Sequence, residues 1–458
     1  MKVVLFALLF ILFFLLSFTL IPGVDTFWQI KTGEVILKQG IPHQDIFSYT
    51  AAGEKWVVHE WLSDVIFYLI HKIDPNLLVI FKGIIIALTF LILSILTIDQ
   101  VALLPLLILL LAATASRDFF DVRPQIFSYL FFALLLLLLY RKKLHFIPPL
   151  FLLWCNLHSG FILGLFVLLL WTGEAVWQKE SDRNRWILVF LLSFLFTFIN
   201  PNGWHLYQHA VELIGWKEVQ DVIIEWLSPN FHRIDILPFE VLIFTFFFSF
   251  LFAPKIRAID LALGVILLHF ALQAVRHIPI FSILAAPLMI FNLKDVSSAL
   301  EERLGRITKP ITLLFPFILS LFQVASLPAY DDMFSVFVQY TDHFFPLNNV
   351  KKIVKLEGNI LNEYKWGGYL IYNCYPKKKV FIDGRAEVYK RKRILNDLLD
   401  ILNVNSNWLA LLKKYQIKLL LLDKNTTLSK VLLERKDFAL VGEDLVSYLF
   451  QYQPSGRR

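Results

Sequence analysis

The chain has 458 residues, of which 57% are hydrophobic and only 18% are charged, and 44 of them are Phe. This composition excludes an ordinary soluble globular protein and predicts an integral membrane protein. The formal net charge of +7 comes from an excess of basic residues after position 327. That excess favours anionic neighbours such as lipid headgroups or phosphates.

The first apolar run begins at Val3 and ends at Ile21. It is too long for the apolar region of a cleaved signal peptide, and its end, SFTLIPG, lacks the small residues of a cleavage site. We therefore expect a first helix that is retained.

Further apolar runs recur up to position 327 and then stop. At about 20 residues for each crossing of a roughly 30 Å hydrocarbon core, they predict about 11 spans. The runs lie near residues 3–21, 77–97, 101–115, 126–140, 146–157, 161–176, 186–199, 239–253, 259–274, 278–292 and 310–327. The sequence therefore predicts an α-helical polytopic membrane domain over residues 1–327, with a first outer loop near 22–76, and a soluble α/β domain over 328–458.

Lys and Arg in short loops predict the orientation, because such residues are retained on the cytoplasmic side. A cytoplasmic N-terminus places most of them inside, namely Arg141 to Lys143, Lys179, Arg183, Arg185, Lys255, Arg257 and the segment 294–309. An odd number of spans then puts the C-terminal domain outside. Cys155 and Cys374 would lie in different compartments, so we expect no disulfide.

The first outer loop combines carboxylates, histidines and aromatic residues. Asp25 follows the first apolar run, where a half-desolvated carboxylate is suited to act as a general base. Residues 56–72 are typical of an amphipathic helix on a membrane surface. The other polar candidates in this loop are His43, Asp45, His59 and Glu60. The alternative is that the loop is only an interfacial lid.

The segment RDFFDVRPQ, residues 117–125, places two Arg and two Asp beside an apolar run. Arg117 or Arg123 would bind a phosphate in a bidentate manner, and Asp118 and Asp121 could ligate a divalent cation. The alternative is that these charges pair with one another as a structural network.

Two further outer segments carry polar residues at the membrane edge. In NLHSG, Asn156 and His158 lie where two apolar runs meet, which suggests function, although satisfying a helix-hairpin turn is an alternative. In NPNGWHLYQH, the first residues indicate a turn, so only Trp204 and His205 carry further information. Both segments would face the same side as the first outer loop.

Arg276 and His277 lie between two apolar runs, in the segment AVRHIP. Cations at a membrane edge are costly without an anion, so we expect a carboxylate from the first outer loop or a lipid phosphate beside them. The pair Glu225–Trp226 is a possible second acidic contact.

The soluble part predicts a small α/β domain. Residues 359–389 indicate a strand, a helix beginning near Trp366, a second strand KVFID and a loop that contains Asp383 and Arg385. The unbroken apolar run IKLLLLD predicts a buried parallel strand, and FALVGEDLVSYLFQY predicts a hairpin. Asp383 and Arg385 would follow a strand end, where open α/β sheets bind ligands, or would only tie their loop down as an ion pair.

Several segments together resemble the GT-C type membrane glycosyltransferases, which use lipid-linked sugar donors. The resemblance rests on the acidic residue after the first span, the long first outer loop, the many further spans and the outer C-terminal domain. A closer resemblance, to a group of bacterial multi-spanning membrane proteins, covers nearly the whole chain through DTFWQIKTGEVI, DIFSYTAAGEKWVVHEWLSD, VRPQIFSYL, NLHSGFILGL, NPNGWHLY and WGGYLI...VFIDGRAEVY.

The resemblance implies an enzyme that transfers a sugar from a polyprenyl-phosphate donor, with inversion, at the outer face of a bacterial cytoplasmic membrane. It implies Asp25 as the general base or as a metal ligand, and basic residues such as Arg123 and Arg276 as phosphate binders. Trp28 would stack on a sugar or shape the lid. Further residues predicted to contact substrate are His59, Glu60, Asn156, His158, His205, His277, Asp383 and Arg385.

Three points stay open at this stage. No tight DxD motif occurs in the outer loops, so a divalent cation is only possible, with Asp118 and Asp121 as its candidate ligands. The acceptor, whether a glycan, a lipid or a protein, has no signature. An outer-face glycan ligase or polymerase shares the same features, and a transporter or a purely structural membrane protein is a competing class.

Overall fold

The computed structural model describes residues 2–18, 23–98, 102–214, 223–326 and 343–453. The predicted domain boundary at 327–328, the start of the first outer loop and the end of the first apolar run therefore lie outside the described residues.

The described part of the chain is mostly helical. Its first ten α-helices are α1 Lys2–Leu16, α2 Thr26–Gln39, α3 Trp61–Ile73, α4 Leu77–Thr97, α5 Leu103–Ser116, α6 Gln125–Tyr140, α7 Ile147–Leu157, α8 Phe161–Trp177, α9 Arg183–Phe196 and α10 His205–Ile214. The following ones are α11 Leu237–Ser249, α12 Ala258–Gln273, α13 Ile278–Asn292, α14 Lys294–Ser326, α15 Leu347–Ile353, α16 Gly367–Cys374, α17 Ala386–Tyr389, α18 Ile394–Leu402, α19 Trp408–Lys414 and α20 Thr427–Leu433. The strands are β1 Asn359–Asn362, β2 Ile417–Asp423, β3 Phe438–Glu443 and β4 Ser447–Tyr452.

The prediction of about 11 spans is wrong for the described residues. Four helical stretches are long and apolar enough to cross a membrane by length and composition, namely Leu77–Thr97, Ile234–Phe252, Val275–Asn292 and Lys294–Val324. Five further apolar helices have only 10 to 17 residues. An apolar run gives the composition of a helix but not its length. The 11 residues of α7 rise only about 16 Å at 1.5 Å per residue, well short of a roughly 30 Å hydrocarbon core.

The chain divides into two compact units. The membrane unit consists of Met1–Thr19 and Leu77–Leu327, and the composite unit consists of Leu20–Asn76 and Pro328–Arg458. The composite unit thus combines the first outer loop with the C-terminal segment. The predicted division into domains at 327–328 stays a prediction.

In the membrane unit, α13 lies at the centre of the helix packing. Its sequence IPIFSILAAPLMIFN is apolar on every side, and most of its side chains are buried. A helix that is apolar all round must be covered all round. It packs against α4, α5, α6, α11 and α12.

The composite unit contains a four-stranded sheet with the order β1–β2–β4–β3. β2 pairs with β1 in parallel and with β4 in antiparallel, and β3 and β4 form the predicted hairpin. The apolar run IKLLLLD is the buried β2, as predicted.

The predicted strand KVFID is wrong. Only Val380 forms an isolated bridge, with Ser48 of the first outer loop. The backbone of this segment is satisfied elsewhere: Val380 N–H donates to Phe47 O at 3.0 Å, and Phe381 N–H donates to Asn362 Oδ1 at 2.9 Å. The segment KVFID therefore forms hydrogen bonds with the first outer loop and with Asn362 and does not add a strand to the sheet.

The predicted surface helix over residues 56–72 is also partly wrong, because α3 begins only at Trp61. Trp56 and Phe67, two aromatic residues of the predicted surface helix, are buried within the composite unit. α3 packs closely on α2, where a Cβ at Gly33 would lie 2.6 Å from the carbonyl carbon of Asp64. Leu69 and Ile73 of α3 remain exposed apolar side chains, so its apolar face is covered only in part.

Candidate functional site

Asp25 lies directly before α2, at the helix end where the peptide dipoles favour a negative charge. Its half-buried carboxylate accepts a hydrogen bond at 2.9 Å from Nε1 of Trp28, one turn later in the helix. This bond fixes the orientation of the carboxylate against a buried ring.

Gly384 closes against the same carboxylate. A Cβ added at Gly384 would overlap Asp25 Oδ1 and would lie 3.1 Å from Trp28 Nε1. Gly368, in the motif WGGYLI, allows a similar close approach to the residue before Asp25, because a Cβ there would lie 2.6 Å from Val24 O. The glycines of both C-terminal motifs thus allow the backbone to approach the segment around Asp25.

The residue after Gly384 anchors this loop through a buried ion-pair network. The Arg385 guanidinium lies 2.7 Å from Asp45 Oδ1 and 2.7 Å from Asp383 Oδ2, and all three side chains are fully buried. Its Nε donates to Asp383 Oδ1 at 2.8 Å, and the Tyr389 hydroxyl donates to Asp383 Oδ2. Gly384 is therefore held between two residues of the network.

Aromatic rings enclose the guanidinium. Its carbon lies 4.4 Å from the Trp56 ring centre and 5.0 Å from the Phe47 ring centre. Burial alone would lower the pKa of Arg385, but Asp383 and Asp45 raise that pKa well above its usual value. The contact with substrate that the sequence suggested for Asp383 and Arg385 stays a prediction, and their geometry favours positioning of the loop.

His59 and Glu60 form a second buried cluster in the composite unit. His59 Nε2 lies 3.5 Å from one Glu60 oxygen, and the other oxygen accepts from Gln29 Nε2 at 3.0 Å. Burial alone would lower the pKa of His59, but Glu60 and then Glu387 raise it to about 9. His59 is therefore a cation at neutral pH.

In the membrane unit, Arg123 and Arg276 lie around one carboxylate. Arg123 Nη1 forms an ion pair with Glu225 Oε1, and the Arg276 guanidinium lies 4.6 Å from the Trp226 ring centre. Burial alone would raise the pKa of Glu225, but the charges of Arg123 and Arg276 lower it below its usual value. Both cations thus interact with the carboxylate of Glu225.

This carboxylate belongs to the pair Glu225–Trp226, the possible second acidic contact in the sequence, and a partner from the first outer loop stays a prediction. Glu225 belongs to a 3-10 turn, Ile224–Trp226, which is joined to the turn Val275–His277 by a backbone hydrogen bond of 3.0 Å from Val275 N to Leu227 O. His277 follows Arg276, with its ring centre 6.5 Å from that of Trp226.

Asn156 and His158 satisfy the turn between α7 and α8. Asn156 Nδ2 donates to Leu152 O at 2.8 Å and to Ile199 O at 2.9 Å. His158 Nδ1 accepts from Gly160 N at 3.0 Å and contacts Ser128 Oγ at 2.6 Å. These contacts fit the alternative structural interpretation, and a contact with substrate stays a prediction.

The remaining candidates are His205, Asp118 and Asp121. His205 is exposed at the start of α10, where its Nδ1 contacts Gln208 Oε1 at 2.7 Å. Burial and then Asp235 raise the pKa of Asp118, and Asp121 interacts electrostatically with the buried Lys82. Within the described ranges, neither aspartate belongs to a group of three side chains spaced to hold a metal ion. A divalent cation stays a prediction.

Comparison with solved structures assigns the fold. The chain is similar to three structures of the Archaeoglobus fulgidus oligosaccharyltransferase: one tethered to an acceptor peptide that contains the NVT sequon, one in the apo form, and one, named AglB, in complex with an inhibitory peptide and a dolichol-phosphate. The TM-scores are 0.58, 0.59 and 0.57 at sequence identities of 13%, 12% and 12%. Each match covers 92% of this chain and 69% of the other.

The chain has the GT-C fold. The resemblance read from the sequence is thereby confirmed at the level of fold, and so is a membrane protein with a small C-terminal sheet. Neither the family models nor the curated protein sequences contain a match.

Sequence reasoning undervalued three contributors to these clusters. The sequence around Glu225 matches no specific motif. Its position beside Arg276 becomes visible only because its turn is joined to the turn Val275–His277. Gly384 and Tyr389 were not singled out, and the one available signal was a Gly in a loop, a residue that permits a close approach of the backbone.

Replacing Arg385 with Met should destabilise the composite unit by about 3–5 kcal/mol, because Asp45 and Asp383 would remain buried without their cation. The measurement is the thermal unfolding midpoint of the full chain in detergent. The matched control is Arg435→Met, which removes a partly exposed pair with Asp437 and should cost at most about 1 kcal/mol. Equal losses in both variants would contradict the role given to Arg385.

The pKa of about 9 for His59 predicts a stability that depends on pH. Because the folded value lies above the unfolded value of 6.5, the contribution is fully present below about pH 6.5 and is lost as the pH rises through about 9. The free energy of unfolding should therefore decrease by on the order of 1–3 kcal/mol from pH 7 to pH 9, and the unfolding midpoint should decrease with it. His59→Gln should flatten this slope, whereas the exposed His43→Gln should retain it.

Proposed function

We propose that this GT-C chain is a membrane glycosyltransferase that moves a sugar from a polyprenyl-phosphate donor to an acceptor at the outer face of a bacterial cytoplasmic membrane. The observation that supports it most is the Asp25 carboxylate, oriented by Trp28 and enclosed by Gly384. The Asp25 side chain makes no cap hydrogen bond to α2. Its fixed orientation is therefore not explained by helix capping, which favours a role in the reaction.

The structural neighbours support the class of donor and the need for an acceptor. One similar structure contains a dolichol-phosphate, and another carries a tethered acceptor peptide. A polyprenyl phosphate has the same phosphate-ended isoprenoid chemistry. The acceptor of this chain is a glycan, a lipid or a protein.

The proposed reaction is an inverting displacement. The acceptor oxygen attacks the anomeric carbon of the sugar, and the bond from that carbon to the phosphate oxygen breaks with its electron pair leaving on the phosphate. The acceptor proton passes to Asp25. A polyprenyl phosphate leaves as an anion, so the chemistry requires one base on the acceptor side and no separate strong acid.

Arg123 and Arg276 are the proposed phosphate binders. Both guanidinium groups lie close enough to Glu225 to lower the pKa of its carboxyl, so the two cations are concentrated in one small region. Arginine forks match the geometry of phosphate oxygens. Trp226, under the Arg276 guanidinium, limits where that fork can point.

Asp25→Asn should lower the rate of sugar transfer by about 10²–10⁴-fold, the usual contribution of a general base. The variant keeps the oxygen that accepts from Trp28, so the local fold is retained. The assay incubates the full-length protein in liposomes with a panel of radiolabelled polyprenyl-phosphate sugars and a membrane extract as acceptor source, and follows consumption of donor.

The control for Asp25→Asn is Glu357→Gln, which removes an exposed carboxylate from the same composite unit. It should leave transfer unchanged. Sugar transfer by Asp25→Asn at the wild-type rate would refute the role of Asp25 as base.

Arg276→Gln and Arg123→Gln should each weaken binding of polyprenyl phosphate by about tenfold or more, because each removes a charge-assisted hydrogen-bond donor. Binding of the fluorescently labelled lipid phosphate to the full-length protein measures this without any acceptor. Arg233→Gln is the matched control, since Arg233 is exposed and already paired with Asp235 in the same unit. Equal affinities in all four proteins would rule out these residues as the phosphate site.

A further inference from the structure

The last residue of β1 holds the loop that contains Gly384. Asn362 is fully buried, its Oδ1 accepts from Phe381 N at 2.9 Å, and its Nδ2 donates to Ile382 O at 2.8 Å. A side-chain amide that bonds both a backbone N–H and a backbone carbonyl uses its acceptor and its donor on the same segment. The loop is thereby fixed against the end of the strand.

Tyr364, two residues further along the chain, adds a bond to the same loop. Its hydroxyl donates to Gly384 O at 3.1 Å. The side chain is half-buried and belongs to the 3-10 turn Tyr364–Trp366, which follows β1. Ala386 N–H donates to the same carbonyl at 2.9 Å. Because a carbonyl oxygen has two lone pairs, both acceptor positions of Gly384 O are used.

The residues after Tyr364 contact both segments that border Asp25. A Cβ at Gly367 would overlap Ile382 O, in the loop that leads to Gly384. A Cβ at Gly368 would lie 2.6 Å from Val24 O and 3.1 Å from Trp28 Cδ1. The turn that begins at Tyr364 is therefore packed against the start of α2 as well as against the loop.

No spare room exists between Gly384 and the Asp25 carboxylate. A Cβ at Gly384 would overlap Asp25 Oδ1, the oxygen that accepts from Trp28 Nε1. A small displacement of Gly384 therefore changes how much of the carboxylate is enclosed. The ion pairs of Arg385 are made to carboxylates, whereas the hydroxyl of Tyr364 bonds the Gly384 carbonyl itself.

We propose that Tyr364 is a positioning residue for the reaction of Asp25. Its hydroxyl fixes the Gly384 carbonyl and, through it, the enclosure of the carboxylate that takes the acceptor proton. This proposal rests on the proposed function, because it assigns Tyr364 to the same site. A catalytic group must be held within about 0.5 Å of its productive position to keep its full effect on the rate. Tyr364 itself needs no contact with the sugar or the phosphate.

A bond that serves stability alone is the competing explanation, and Tyr49 provides the comparison. The Tyr49 hydroxyl also donates to a backbone carbonyl, Ile360 O, at 3.0 Å, from a half-buried side chain of the same unit. Its acceptor belongs to β1 and not to the loop that contains Gly384. Tyr49→Phe is therefore the matched control for Tyr364→Phe.

The first measurement labels carboxyl groups and requires no substrate. The full-length protein in detergent is treated with a water-soluble carbodiimide and glycine ethyl ester, and modification of Asp25 is followed by peptide mass spectrometry. Tyr364→Phe should increase the labelling rate of Asp25 about three- to tenfold, the equivalent of one lost hydrogen bond, because Gly384 can then withdraw. Tyr49→Phe should leave this rate unchanged.

Tyr364→Phe should retain the fold. It keeps the aromatic ring, and the Arg385 ion pairs and the Ala386 N–H still hold the loop. The unfolding midpoint in detergent checks this, and it should match that of Tyr49→Phe.

The second measurement is sugar transfer by the same proteins in liposomes. Tyr364→Phe should lower kcat about three- to tenfold and leave KM for the polyprenyl-phosphate sugar unchanged, because the hydroxyl acts on the base and not on the donor. Tyr49→Phe should transfer sugar at the wild-type rate. An equal loss in both variants would indicate a general effect on stability and would overturn the proposal.

The two measurements separate this proposal from the proposed function. Unchanged labelling of Asp25 in Tyr364→Phe would overturn the proposal whether or not the chain transfers sugar. Faster labelling with an unchanged kcat, in a chain whose Asp25→Asn variant is inactive, would also overturn it, because the enclosure would then have no part in the reaction. Full transfer by Asp25→Asn would instead overturn both the proposed base and the role of Tyr364 in its reaction, even if labelling shows that the hydroxyl fixes the enclosure.

Discussion

Arg385 carries a positive charge into the interior of the composite unit, and the surrounding loops are arranged to neutralise it. One of its carboxylate partners comes from the first outer loop and the other from its own loop in the C-terminal segment. A buried charge is tolerated only when it is paired and enclosed, so these two distant segments must come together for either to be stable. The position of Gly384, and with it the space around Asp25, follows from that requirement.

Charge balance separates the arginines of this chain by role. Arg385 faces two carboxylates and is closed off by rings, so its positive charge is already neutralised within the fold. Arg123 and Arg276 both interact with the carboxylate of Glu225 near the surface of the membrane unit's turns. Residue type alone would have grouped all of these as phosphate binders.

Composition and apolar runs were sufficient to predict a membrane protein, and IKLLLLD and the final hairpin were clear because their patterns are local. The segment KVFID was wrongly predicted as a strand, because its hydrogen bonds are made to Phe47 and Asn362, outside the local sequence. The number of spans was wrong because hydropathy does not reveal where a helix ends. Asp25 could be singled out from its place after an apolar run, whereas its enclosure by Gly384 depends on tertiary contacts, which no single sequence displays.

The composite unit is discontinuous in sequence, and this has a consequence for biosynthesis. Leu20–Asn76 is made first, and its partner segment begins only at Pro328. At about 5–20 residues per second, the ribosome needs roughly 10–50 s to make the intervening residues. During that time Asp45 has no ion-pair partner, because Arg385 has not yet been made, and the rings of Phe47 and Trp56 lack their contact with its guanidinium. Completion of the membrane segments therefore precedes closure of the composite unit, and a chain stalled during insertion would display an unfinished, sticky loop that quality-control proteases can recognise.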